Sequence, residues 1–255
     1  MFALQVQENI SVNNKRIRIT DGFFVTPKDL EVMKFLLEMK FSSVQDLHFK
    51  FFRKLRNGKE SHSLWWAKER LQTLLKNNYL KKEFCRFGKE IYFLPTRKAQ
   101  LLVSRKYPET ENLRASEKID PKFFDHDKTI LKLRLAIEEK ETVERWVSDK
   151  ELHVNVGLYS GLEKTNIPDG IFETRDGQRV AVEVEIAKKC KSRYLEKINK
   201  FVQIMRSGNE SSPFQKVIYF CAKESVYRIL RDETKIYGDL FEVVHGFNYE
   251  KKTTI

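Results

Sequence analysis

Apolar positions recur along the first hundred residues at helical spacing and then change period. Thr26-Pro27-Lys28-Asp29 has the chemistry of a helix start: a hydroxyl cap, proline at the first helical position and an early acid. Leu30, Met33, Phe35, Leu36 and Leu37 carry that helix to about Met39. Ser42 or Ser43 caps a second helix, with Val44, Leu47, Phe51 and Leu55 inward, and Arg56–Glu60 breaks it. A third helix is predicted over Ser61–Asn77 on Leu64, Ala67, Leu71, Leu74 and Leu75. Two strands follow, Leu80–Arg86 and Glu90–Leu94, joined by Phe87-Gly88-Lys89, and Thr96 opens a fourth helix to about Lys106. Residues 107–121 are polar, hold two prolines and show no sustained period, which predicts a linker. Beyond it, a long amphipathic helix is expected over Phe124–Val147, a strand over Leu152–Val156 and a loop over Leu158–Thr165. Ile167–Glu173 and Arg179–Ala187 read as a hairpin turning at Asp176-Gly177, and a helix follows from about Ser192. Lys216–Ala222, Glu224–Arg231 and Leu240–Val244 complete the pattern as strand, helix and strand.

This order predicts an α/β protein in two parts. Three short helices, a two-stranded ribbon and a closing helix over residues 20–106 is the order of a winged helix-turn-helix. Helix, strands, helix, strand, helix, strand over residues 122–250 makes an α/β sandwich on a mixed sheet. Charge supports the division. The chain of 255 residues has a net charge of +12, yet residues 1–110 hold 22 basic against 11 acidic side chains and the remainder 26 against 25. A basic module joined to a balanced one suggests that the first part binds a polyanion, and double-stranded DNA is the partner this charge favours. The third helix would lie in the major groove, with Ser61, His62, Ser63, Trp65, Lys68 and Arg70 facing it, and Arg86 and Lys89 would reach phosphate from the ribbon. Trp65 and Trp66 are adjacent, so at least one of them is expected in the core.

Composition excludes several classes. No apolar run approaches the length of a membrane span. The amino terminus lacks the features of a secretion signal, and Cys85, Cys190 and Cys221 are far apart, so reduced thiols in a cytoplasm are expected. There is no P-loop, no His-x-His pair, no HExxH and no GxSxG.

The chemistry that remains sits on Arg179–Ala187. Alternation puts Val180, Val182, Val184 and Ile186 on one face of that strand and Ala181, Glu183, Glu185 and Ala187 on the other. Two acids side by side between alanines repel unless something positive lies between them, and a hard divalent cation suits carboxylate oxygens. With Pro168-Asp169, thirteen intervening residues and then Glu183-Val184-Glu185, the segment resembles the PD-(D/E)XK nuclease superfamily. The resemblance implies that Asp169 and Glu183 bind Mg²⁺ or Mn²⁺ beside a scissile phosphate. Glu185 stands where that family has lysine. It would be a third metal ligand or a base for the attacking water, and Lys191 or Lys197 from the next helix would supply the missing positive charge. Glu138 or Glu139 would enter the same site from the long helix.

A basic winged helix joined to such a domain, with Lys197-Ile198 following, resembles plasmid replication-relaxation proteins and the MOBC class of conjugative relaxases. That resemblance, over roughly residues 20–245, implies nicking of one strand at a plasmid transfer origin, with relaxosome and coupling proteins as partners. Tyr159 and Tyr194 lie near the motif, but neither a covalent nor a hydrolytic route is singled out. The alternative is a non-catalytic DNA-binding accessory protein of plasmid replication or relaxosome assembly, with a degenerate nuclease fold.

Overall fold

The structure, a computed structural model, describes residues 17–18, 24–54, 58–141, 143–207 and 212–246. Leu55 lies outside them, as do the outermost residues of both expected domains. Among the described residues the chain is mixed α/β, with eight α-helices, a five-stranded mixed sheet, a three-stranded antiparallel sheet and a two-stranded ladder. That ladder pairs β1 (Ile17–Arg18) with β2 (Phe24–Val25).

The amino-terminal half runs α1 (Pro27–Met39), β3 (Ser42–Ser43), α2 (Val44–Leu47), a π-type turn at His48–Phe52, α3 (Trp65–Lys76), β4 (Leu80–Cys85), β5 (Glu90–Pro95) and α4 (Arg97–Lys106). The three strands order as β3-β5-β4. Thr26 caps α1 reciprocally: its hydroxyl accepts from the Asp29 N–H, and Asp29 accepts from the Thr26 N–H at 2.6 Å. Asp29 also holds Arg70 on α3, so this cap ties two helices together. Thr96 caps α4 as its hydroxyl predicted.

The carboxy-terminal half runs α5 (Phe124–Lys140), β6 (Val143–Ser148), α6 (Asp149–Val154), β7 (Gly170–Thr174), β8 (Arg179–Glu185), α7 (Lys191–Ser207), β9 (Lys216–Cys221), α8 (Glu224–Thr234) and β10 (Phe241–His245). The strands order as β10-β9-β8-β7-β6; β6, β7 and β8 are antiparallel neighbours, and β8, β9 and β10 are parallel. The parallel steps need crossovers, which α7 and α8 supply. Two sequence expectations are corrected here. The long helix stops at Lys140, because Val143, Trp146 and Val147 go into a strand that pairs with β7. The strand expected over Leu152–Val156 is instead the end of α6, whose start Ser148 caps.

Each face of the five-stranded sheet carries its own core, and the α5 face is half-open at β9 and β10. Val180, Val182 and Val184 of β8 pack with Phe172, Trp146 and Leu131 of α5, and this core continues without a break into Leu36 and Met39 of α1. Ala181 of β8 packs with Ile171, Val217, Tyr219 and the α7 residues Tyr194, Ile198 and Phe201. Residues 107–121 pack as well, burying Leu113 and Ile119. Charged pairs reinforce the first core: Lys40 reaches Asp127 at 2.7 Å and Asp149 at 3.1 Å, and Arg134 reaches Glu38 at 2.6 Å and Glu138 at 2.9 Å. Gly170 is required by packing. A Cβ there would meet Trp146 Cζ2 at 2.7 Å, so only glycine lets the indole lie against β7.

Candidate active site

The alternation of β8 puts Glu183 and Glu185 on the face toward α7, and both are buried, each 2% exposed. Parallel pairing sets them beside Tyr219 and Cys221 of β9. Antiparallel pairing brings Asp169 in from the other side: Gly170 lies opposite Val182, and the Asp169 N–H donates to the Val182 carbonyl at 3.0 Å. The Asp169 carboxylate accepts the Val184 N–H at 2.7 Å, which fixes it at the head of β7. A hairpin and one backbone bond thus converge three acids that the sequence spreads over seventeen positions.

Helix α7 faces them with one turn of its buried stripe. Lys197 precedes Ile198 in that stripe, and its Nζ lies 2.7 Å from Glu183 Oε1, close but poorly aligned as a hydrogen bond. Lys191, the other expected lysine, turns away to Glu233 of α8. Lys189, in the connection before α7, holds Glu185 at 2.8 Å. Neither Glu138 nor Glu139 enters the site. Glu138 is taken by Arg134 and Lys50, and Glu139 by Arg53. The side chain that α5 does contribute is His126, with Nε2 3.3 Å from Asp169 Oδ2 and Nδ1 3.9 Å from Asp127 Oδ1. Sequence reasoning missed it, although His126 shares the apolar helix face with Ile130 and Leu133 at i+4 and i+7.

The electrostatics are uneven. Burial pushes Glu183 up to about 8; Lys197 opposes this, while Asp169 and Glu185 add to it. Burial also raises Glu185, and Lys189 only partly offsets it. Burial works against ionised Asp169 too, but the His126 bond and the charge of Lys197 outweigh it and hold the group below its usual value. Burial disfavours protonated His126, yet Asp127 and Asp169 prevail and push it up to about 10. Lys197 is desolvated, but Glu183 and Asp169 keep it an ammonium. At neutral pH the cluster therefore holds Asp169 as carboxylate, His126 and Lys197 as cations, and Glu183 mostly protonated.

A cleft of about 250 Å³ opens beside these groups, walled by Glu185, Lys189, Tyr194, Lys197 and Tyr219, with Arg193 and Lys200 also lining it. A larger cavity of about 510 Å³ lies against α4 and residues 111–117 and holds none of the acids. As placed, no group of three or more His, Cys, Asp and Glu side chains among the described residues could hold a metal ion. The donor chemistry nevertheless suits a hard cation: three carboxylates converge, and the ammonium of Lys197 supplies positive charge to all three. The buried Tyr219 hydroxyl has no hydrogen-bond partner among the described residues.

The residues expected to touch DNA are brought together only in part. Ser61, His62 and Ser63 precede α3 rather than lying in it, because the helix begins at Trp65; the Ser61 and Ser63 hydroxyls accept the backbone N–H groups of Ser63 and Trp65. Lys68 is exposed on α3, and Arg86 and Lys89 are exposed in the β4–β5 turn. Arg70 is held against Asp29 and the Phe24 carbonyl. Neither tryptophan is core: Trp65 is 55% and Trp66 60% exposed, because α3 buries Ala67, Leu71 and Leu74, a stripe that leaves both out.

No family model matches the sequence, and no curated protein matches it. Among the described residues no helix is long and apolar enough to cross a membrane.

Proposed function

We propose that the chain is a metal-dependent DNA-nicking endonuclease of the relaxase type, with a winged helix-turn-helix over residues 20–106 and a PD-(D/E)XK-like domain over residues 122–250. The observation that carries this reading is the convergence of Asp169, Glu183 and Lys197 at the head of a β7–β8 hairpin beside a cation-lined cleft. The order helix, strand, helix, helix, hairpin, helix with strands β3-β5-β4 supports the first domain. The mixed sheet with α5 and α7 on opposite faces supports the second.

In this reading Asp169 and Glu183 hold Mg²⁺ or Mn²⁺, and Glu185 is a further ligand or orients water. The cation, when bound, acidifies a water and stabilises charge on phosphate. Glu183 would hold the cation as a carboxylate, so binding would be coupled to loss of the proton that burial favours. Lys197, 2.7 Å from Glu183, would offer its ammonium to a phosphate oxygen. Lys189, Arg193 and Lys200 attract the backbone to the cleft. His126 keeps Asp169 ionised and oriented. A plasmid transfer origin, relaxosome and coupling proteins and a cytoplasmic setting belong to this proposal through the resemblance described above. The assay is supercoiled plasmid carrying the cognate origin with Mn²⁺. Wild type relaxes it, and Asp169→Ala loses at least a hundredfold in rate; equal rates would sink the enzyme reading.

One observation favours a second reading, a non-catalytic DNA-binding accessory protein: Glu183 and Glu185 are already engaged by lysines, and no three-ligand group is formed. Calorimetry with Mn²⁺ separates the two. The enzyme binds the ion with proton release that Glu183→Gln abolishes, whereas the accessory protein shows no heat that depends on Glu183.

A further inference from the structure

The face between α3 and the β4–β5 hairpin is separate from the candidate active site and borders the first core through Leu75. A groove of about 530 Å³ runs there, walled by Lys68, Gln72 and Leu75 of α3 and by Lys82, Phe84 and Ile91 of the hairpin. Phe84 and Ile91 face each other across the ladder, so they share one side of the ribbon. Both are exposed, Phe84 at 62%, and Phe87 in the turn is 67% exposed. Trp65 continues the α3 wall, since positions 65, 68, 72 and 75 fall on one helical stripe. Trp66 packs edge-on to Trp65, with centroids 4.5 Å apart and planes at 76°. Exposed Trp65 and Phe84 thus flank a groove bordered by four cations, Lys68, Lys82 and Lys89 in its walls and Arg86 in the turn.

That combination fits one ligand chemistry. Exposed aromatic rings gain little from a closed duplex, whose π faces are covered by neighbouring base pairs. Unpaired bases offer free π faces, and the cations beside the rings match their phosphates. A hydrophobic protein partner would use the rings but not the four cations. We propose that this groove is a single-stranded DNA site, in which bases stack on Trp65 and Phe84 while the lysines track the backbone. The inference takes DNA as the substrate class from the reading above, but it does not require the acid cluster or a metal. It makes the first module a binder of opened DNA in addition to any contact with duplex.

The tryptophans supply their own probe. Trp65 and Trp66 are exposed, whereas Trp146, the third, is buried. The full chain in EDTA is titrated with a 20-nucleotide oligothymidylate while tryptophan emission is followed. Stacking quenches the emission, and the oligothymidylate binds more tightly than a 20-base-pair duplex. Trp65→Ala and Phe84→Ala each weaken binding about tenfold, while Trp65→Phe retains most of it. Lys68→Ala and Lys89→Ala weaken it and flatten its salt dependence. All four positions are exposed, and thermal melts confirm that the variants fold. The proposal is overturned if duplex binds as tightly with equal quenching, if RNA of the same length binds and DNA does not, or if the alanine variants leave affinity unchanged. Sedimentation showing a dimer that Phe84→Ala dissociates would overturn it in favour of a protein interface. Nicking that persists without oligothymidylate binding would remove this site alone. Oligothymidylate binding without nicking would leave it standing and remove the enzyme.

Discussion

Among the described residues, two of the buried charge clusters differ in how well they are settled. At the junction of the two halves, Arg134 bridges Glu38 and Glu138, and Lys50 adds a second cation to Glu138. Burial works against an ionised Glu138, yet Arg134 and Lys50 hold it below its ordinary value. At the head of the β7–β8 hairpin, Asp169, Glu183 and Glu185 face Lys197, Lys189 and His126, and there Glu183 ends up pushed to about 8. Both clusters mix acids with cations. The difference is geometry. A planar guanidinium donates to two carboxylates at once, whereas the three acids of the second cluster each face a different cation, and the Lys197 ammonium is poorly aligned with Glu183. The first cluster is complete as a structural joint. The second leaves Glu183 raised, because burial outweighs the attraction of Lys197.

The largest effect should come from breaking the joint. Arg134→Ala strands two buried carboxylates and is expected to cost about 3–5 kcal/mol, read from urea unfolding at neutral pH. A loss below about 1 kcal/mol would mean that the junction is loosely made. Next comes Glu183→Gln. The folded value of about 8 lies above the unfolded carboxylate value, so the unfolded chain ionises first and stability falls as pH climbs from about 4.5 to 8. Glutamine removes that penalty. The variant should match wild type at pH 4 and exceed it by ~2–4 kcal/mol at pH 8.5. A variant less stable than wild type at pH 8.5 would place the site in the same class as the joint. Smallest is Glu139→Ala at the edge of the junction, where the exposed Glu139 carboxylate meets Arg53 at 3.1 Å. Solvent screens this pair, and less than about 0.5 kcal/mol should be lost.

The settled and unsettled clusters were not equally legible. Strict alternation along β8 assigned every side chain to its face, and so placed Glu183 and Glu185 together. Asp169 followed from the hairpin, because a two-strand turn at Asp176-Gly177 fixes which residues oppose each other. Lys197 and Lys191 were equivalent by sequence, and only the rotation of α7 separates them. The joint was invisible. Its bonds link positions some ninety residues apart, and the i+4 neighbours Arg134 and Glu138 read equally well as a solvated helix surface. His126 was lost for the same reason. The end of α5 was misread because Trp146 and Val147 suit either element, and strand pairing with β7, a tertiary contact, decided it. The tryptophans of α3 failed differently: bulk suggested burial, but the stripe through Ala67, Leu71 and Leu74 leaves them no place inside.

Gly170 gives the Asp169-Gly170 pair a division of labour. The first residue answers to charge and the second to shape. Because the Trp146 indole fills the space where a Cβ would stand, β7 has almost no play at the residue next to the carboxylate. The acid is aimed through two backbone bonds, from its own N–H and from that of Val184. Any side chain at 170 would move the strand or the indole, and the aim would go with it. The glycine therefore acts as a machining tolerance, a chemically inert position that sets how accurately its charged neighbour is presented.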